Sequence, residues 1–283
     1  MTPQLLPSFF GNGPPLKLKD WISFDQLKCT LSANPSPAAI QLVLDQHPDK
    51  LDWHWLSMNP SADAIKLLEQ NPDKIAWDWL SANPNAIDLI EQNPQHIRWG
   101  YLSRNPSAIG LLKQHQDLIK WNVMSENPCA VKLLERNQEK INWYCLSKNP
   151  NAMYLLHQNP DKIDWHWLSA NPSAIKLLEN NLDKVDWHWL STNTNAIHIL
   201  EKNLDKIDWG VLSGNPNAIH ILEQNQDKIN WVQLSKNPSI FECDYQKMSI
   251  VRTRVILEDL MKNALHPRRI IKQLEMGADI DNL

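Results

Sequence analysis

Residues 163–179 read Ile163-Asp164-Trp165-His166-Trp167-Leu168-Ser169-Ala170-Asn171-Pro172-Ser173-Ala174-Ile175-Lys176-Leu177-Leu178-Glu179, one copy of a repeat that fills most of the chain. Its first tryptophan recurs at Trp53, Trp77, Trp99, Trp121, Trp143, Trp187, Trp209 and Trp231, and after a first step of 24 every spacing is 22. A degenerate copy precedes the series at Leu27 to Leu44, where Cys29 takes the tryptophan's place if one residue is deleted. Self-similarity at such a period is the signature of stacked repeats, each unable to bury its own apolar face.

Each unit parses into two helices. Asn171-Pro172 reads as a helix start, because Asn caps free backbone N–H groups and Pro has no N–H to leave unpaired. Ala174, Ile175, Leu177 and Leu178 then share one face, with Lys176 and Glu179 opposite. Asn181 stands where the helix should stop, a place Asn can fill in the left-handed conformation. The other helix of each unit, which carries the tryptophan, is expected to be shorter. Asp164 can cap it, as can Asp52, Asn142, Asp186, Asp208 and Asn230 in the same column. Ile163 and Leu168 have the spacing of a hydrophobic staple.

Nothing alternates with period two, so no sheet is expected. The pattern predicts an all-α, right-handed α-solenoid (superhelix) of about ten 22-residue two-helix repeats, the short helix being α or 3₁₀. At ~8–10 Å per layer, such a stack is a rod or arc of about 80–100 Å. Its ends differ from its middle. Residues 1–26 form an irregular N-terminal capping segment with an apolar patch at Leu5, Leu6, Phe9, Phe10 and Trp21. Residues 27–238 hold the tandem repeats. Residues 239–283 read as a helical C-terminal cap, with one helix from about Tyr245 to Ala264 and another from Pro267 to Gly277.

The chain has 14 Trp beside 4 Phe and 4 Tyr, and only 7 Gly beside 19 Pro, with a net charge of -4. So little glycine leaves scant material for phosphate-cradling loops, and Gly11-Asn12-Gly13 lacks the rest of any such fingerprint. The charge gives no general attraction to nucleic acid or anionic membranes. Cys29, Cys129, Cys145 and Cys243 lack metal-site spacing and read as reduced, mostly buried thiols of a cytosol-like compartment. No apolar run reaches the ~18 residues of a membrane helix.

The W-x-x-L-S-x-N-P-x-A-I-x-L-L-E unit resembles the tandem repeats of proteins encoded by giant DNA viruses of amoebae. The ending Ile256-Leu257-Glu258-Asp259-Leu260 … Leu265-His266-Pro267-Arg268-Arg269-Ile270 … Gly277-Ala278-Asp279-Ile280-Asp281 resembles a C-terminal tail found among them. The likeness covers about residues 18–283. It implies a viral protein acting in the host cytoplasm, the viral factory or the virion, and it carries no site residues. The units are also similar to leucine-rich variant repeats, which implies fold alone.

Columns filled alike in every unit read as structural, and varying columns as free for recognition. The Trp165 column is constant and is expected to be core. Two residues on, the column reads Trp55, Trp79, Tyr101, Val123, Cys145, Trp167, Trp189, Val211, Gln233. It lies about 200° away around a helix and should point away from the core. The aromatic members Trp55, Trp79, Tyr101, Trp167 and Trp189 are therefore candidate partner-binding residues, or else an inter-repeat ladder. His54, His166 and His188 stand beside them and read as solvated surface histidines at that candidate site. The acidic column Glu69, Glu91, Glu135, Glu179, Glu201 and Glu223 reads as a solvated face. No catalytic constellation, metal box or cofactor motif stands out. The expected function is a non-enzymatic, monomeric scaffold for protein–protein interaction. The alternative is a single-stranded nucleic-acid reader that stacks bases on repeat aromatics, which should carry a basic groove beside them.

Overall fold

The computed structural model describes residues 14–27, 29–263 and 267–276. The expected N-terminal patch at Leu5, Leu6, Phe9 and Phe10 and the helix end at Gly277 lie outside them. The chain divides into two units, residues 18–240 and residues 1–17 with 241–283.

The larger unit is an all-α repeat solenoid. In each of the first nine repeats a Trp helix of four to six residues, such as Trp165–Ser169, is followed by a second helix, such as Ile175–Glu179, whereas in the tenth Trp231–Leu234 is followed by the 3₁₀ helix Pro238–Ile240. The Trp helix is α-helical from Trp53 onward, and only the first repeat builds it as a 3₁₀ helix, Cys29–Ala33. Further 3₁₀ turns, such as Pro160–Lys162, join one repeat to the next. Asp164 caps its helix by accepting from the Trp167 N–H at 2.9 Å, and Asp52, Asn142, Asp186, Asp208 and Asn230 act likewise. The core is Leu56, Leu80, Leu102, Met124, Leu146, Leu168, Leu190, Leu212 and Leu234 of the Trp helices packed on the alanine and leucine columns of the second helices, as at Ala174 and Leu178.

Two asparagine readings change. The Asn181 amide donates to the Leu177 carbonyl at 2.9 Å, and its counterpart in the preceding repeat, Asn159, bonded likewise to Leu155 at 3.0 Å, ends its helix at φ −134°, not in the left-handed region. That side chain supplies one of the acceptor-starved helix C-terminal carbonyls with a donor, so no left-handed turn is required. Asn171 does receive the Ser173 N–H at 2.9 Å, in keeping with a cap. Its amide, however, reaches into the preceding repeat and donates to the carbonyls of Ser147 at 2.9 Å and Asn149 at 3.0 Å. It is fully buried. The same double clamp recurs at Asn59, Asn83, Asn105, Asn127, Asn149, Asn193, Asn215 and Asn237.

Asn34 of the first repeat completes the series. Having no preceding repeat in the chain, it donates to the carbonyls of Ser235 and Asn237 in the last, both at 2.9 Å. The Thr30 hydroxyl donates to the Val232 carbonyl at 2.9 Å, and the Lys19 N–H to the Ile240 carbonyl at 2.9 Å. The repeats therefore close into a ring of ten. The expected rod with capped ends is replaced, because the apolar face of the last repeat is covered by the first and a ring has no end to cap. The clamp also sets the register of the first repeat. Leu31, Ser32 and Asn34 match Leu56, Ser57 and Asn59 with nothing deleted, so position 28, not Cys29, aligns with the tryptophan.

The expectation of no sheet also fails locally. Leu16–Leu18 (β1) pairs with Phe241–Cys243 (β2), where the chain enters and leaves the repeats. Strands this short carry no alternation to read. The smaller unit also contains the helices Tyr245–Asn263 and Pro267–Glu275.

Candidate functional site

Which helix lines the ring follows from packing. Trp helices of successive repeats lie close together, whereas the second helices are spread apart. A closed ring crowds its inner elements and splays its outer ones, so the Trp helices form the inner wall. With ten units at ~8–10 Å, the axis circle is about 80–100 Å around, and subtracting a helix width leaves an opening roughly 15 Å across.

The constant tryptophans are not core. All nine are half-buried, and the Trp165 ring lies beneath the Lys184 ammonium of the next turn at 4.7 Å. Lys140, Lys162, Lys206 and Lys228 cover Trp121, Trp143, Trp187 and Trp209 in the same way at 4.4–4.8 Å, and His96 stacks on Trp77 at 4.5 Å. The buried partner on each Trp helix is the residue three further on, a leucine everywhere except Met124. The serine of each repeat is buried as well. Ser169 Oγ donates to the Trp165 carbonyl at 2.7 Å and accepts the Asp186 N–H of the next repeat at 3.0 Å. No short-range pattern shows these serines bridging two repeats, since the Asp186 N–H lies 17 positions from Ser169. Their unbroken recurrence was the signal for a structural role.

The variable column two residues beyond each tryptophan faces the opening, together with the residue three further on. Lys148 Nζ lies over the rings of Trp167 and Trp189 at 5.3 and 5.5 Å, reaching both of the next two repeats. Such a reach fits the concave side, where successive repeats crowd together. Lys236 Nζ lies 3.9 Å from the Trp55 ring, across the first repeat, in the same manner.

The candidate aromatics form two groups. Trp167 and Trp189 have centroids 4.6 Å apart, and Trp79 meets Tyr101 edge-on at 5.7 Å. Trp55 is covered by Lys236, so the expected row is not one continuous ladder. The four tryptophans are half-buried and Tyr101 is exposed. Repeats two to four and repeats seven to eight, which carry these groups, stand nearly opposite one another across the ring. Between them the wall holds Arg104 paired with Glu126 at 3.2 Å, and Cys145. Burial, then the charge and hydrogen bond of Glu126, push the Cys145 thiol up to about 11, so it remains protonated at neutral pH. Cys129, against expectation, is exposed, and Cys145 and Cys243 are half-buried.

The histidines are exposed, as expected, but two are held by acids of the next repeat. His166 Nδ1 meets Asp186 at 2.5 Å while its Nε2 accepts from the Trp189 indole N–H. His188 Nδ1 meets Asp208 at 2.8 Å. Partial burial opposes ionisation of Asp208, yet His188 and the N–H groups of Val211 and Gly210 outweigh it and hold the carboxyl below 3.8. Asp78 and Arg98 make the same link at 2.8 Å. His54 instead borders a recess of about 210 Å³ lined by Trp79, Asp78 and Arg98. The acidic column lies on the second helices, away from the inner aromatics, with Glu179 and Glu201 paired to His198 and His220.

Among the described residues no group of three His, Cys, Asp or Glu side chains could hold a metal ion, and no helix is long and apolar enough to cross a membrane. Fold and site together define a closed-ring helical-repeat protein with an aromatic inner wall. No protein-family model, curated protein or solved structure matches the chain.

Proposed function

We propose that the ring is a non-enzymatic scaffold that grips a protein partner inside its opening. The observation that carries this reading is the placement of two half-exposed aromatic groups, Trp79 with Tyr101 and Trp167 with Trp189, on opposed stretches of one inner wall. An opening roughly 15 Å across fits an extended segment or a single helix of ~10–12 Å. Aromatic rings on a concave wall can contribute about 2 kcal/mol or more each when a partner desolvates them. The likeness of the repeats to those of giant viruses supports a role in an infected host cell or in the virion.

A second reading has its own support. The acidic column stands on the second helices, while Lys148 and Lys236 lie on the inner tryptophans, where phosphates beside stacked bases would need them.

Tagged full-length chain used as bait, beside the Trp167→Ala/Trp189→Ala variant, tests the proposal. A protein retained by the parent and lost at least about tenfold by a variant of unchanged fold supports it. Equal retention by both removes the inner wall from binding. Quenching of the tryptophans by a single-stranded oligonucleotide, weakening steeply with salt, would favour the second reading.

A further inference from the structure

The helix Tyr245–Asn263 belongs to the smaller unit and has two unlike sides. Met248, Val251 and Val255 are half-buried on one. On the other, Ile250, Leu257 and Met261 are 61%, 54% and 60% exposed. Spacings of seven and four align these three along one stripe. Arg254 and Glu258, one turn apart, flank it on a single edge, and all five border one open apolar concavity. A continuous exposed apolar stripe with a charged edge is the usual mark of an interface.

The order of charges selects the occupant. A two-fold axis crossing the helix near residue 256 brings the stripe against itself in antiparallel sense. Ile250 then faces Met261 of the partner subunit, and Leu257 faces Leu257 of the partner subunit. On the shared edge, Arg254 meets Glu258 of the partner subunit, and the axis repeats that pair. A parallel two-fold arrangement would instead set this charged edge against the opposite, uncharged edge of the stripe, at Thr253 and Leu260 of the partner subunit, and leave both charges unpaired across the contact. A lipid surface would be met by a margin of mixed sign, Arg254-Glu258-Lys262, without the cationic excess that anionic headgroups attract.

We propose that this chain pairs with a second copy of itself through an antiparallel contact of the 245–263 helix, in place of the monomer expected from sequence. A 19-residue helix is ~28 Å long, and a contact of that length falls at or below the ~1,200 Å² of small specific interfaces, so the dimer dissociates on dilution.

Sedimentation equilibrium of the full chain over a wide concentration range reads this directly. Arg254→Glu places acid against acid twice and should raise the dissociation constant about tenfold or more; Glu258→Arg should do the same. The double variant Arg254→Glu/Glu258→Arg exchanges the signs and should return to within about threefold of the parent. Leu257→Asp should leave a monomer whose ring melts as the parent does. A chain monomeric at every concentration, single charge variants that associate as the parent does, or a double variant no better than the singles would each overturn the proposal.

Discussion

At the residue scale the asparagine before each proline does most to set the architecture. As a simple helix cap, Asn171 would use only its carbonyl oxygen, and Asp would serve as well. In the ring its amide N–H groups hold two buried carbonyls of the preceding repeat. Asn171→Asp keeps the acceptor, loses both donors and places an anion against two carbonyl oxygens. Leaving buried acceptors unpaired costs about 1–3 kcal/mol each, so thermal or urea unfolding should show a loss of about 3 kcal/mol or more. A melting curve matching the parent would return Asn171 to the role of a cap. The sequence made this residue conspicuous and its cap legible. A donor bond spanning 22 or 24 positions leaves no local pattern, which is why the clamp was not. Trp165 misled for a related reason. Constancy shows that a position is structural, but a ring under a lysine and a ring in a core recur equally.

At the scale of the element, caps and helix order were legible because they depend on neighbours in sequence. Asp164 and its column cap the Trp helices as the spacing indicates. The partners of His166 and His188 were not, because they lie about twenty residues on and come near only after stacking. One consequence is titratable. The Asp208 carboxyl is held below 3.8 in the fold, with its ordinary value recovered on unfolding. A lowered carboxyl value contributes stability that is present above the ordinary value and lost as pH falls through the lowered one. Asp208→Asn retains an oxygen for the Val211 N–H but cannot titrate. At about pH 5 the melting temperature of the parent should therefore exceed that of the variant by a small margin, and that margin should shrink as pH falls below 3.8. The pair is exposed enough for solvent to screen it, so the margin stays small. A margin growing towards low pH would reverse the assigned sign.

At the scale of the molecule, ten similar units were legible and their closure was not. Curvature arises from a small rotation at each interface, and a repeat string fixes the interface without stating whether the rotations sum to a full turn. The residues that join the ends, Thr30 and Asn34, sit in the most degenerate repeat, the one without a tryptophan. Closure turns a row of aromatics into an inner wall, and with it the candidate site changes from a ridge to an opening. Pulsed electron-spin distances in a cysteine-free background test closure directly. Labels at the exposed Gln46 and Gln224 sit at the ends of the second helices of the first and ninth repeats. In the ring they are two units apart across the join, a separation of roughly 20–30 Å, whereas eight units of an open stack give about 60–80 Å. A distribution centred near the shorter distance is the predicted result, and one centred beyond 60 Å would contradict the ring.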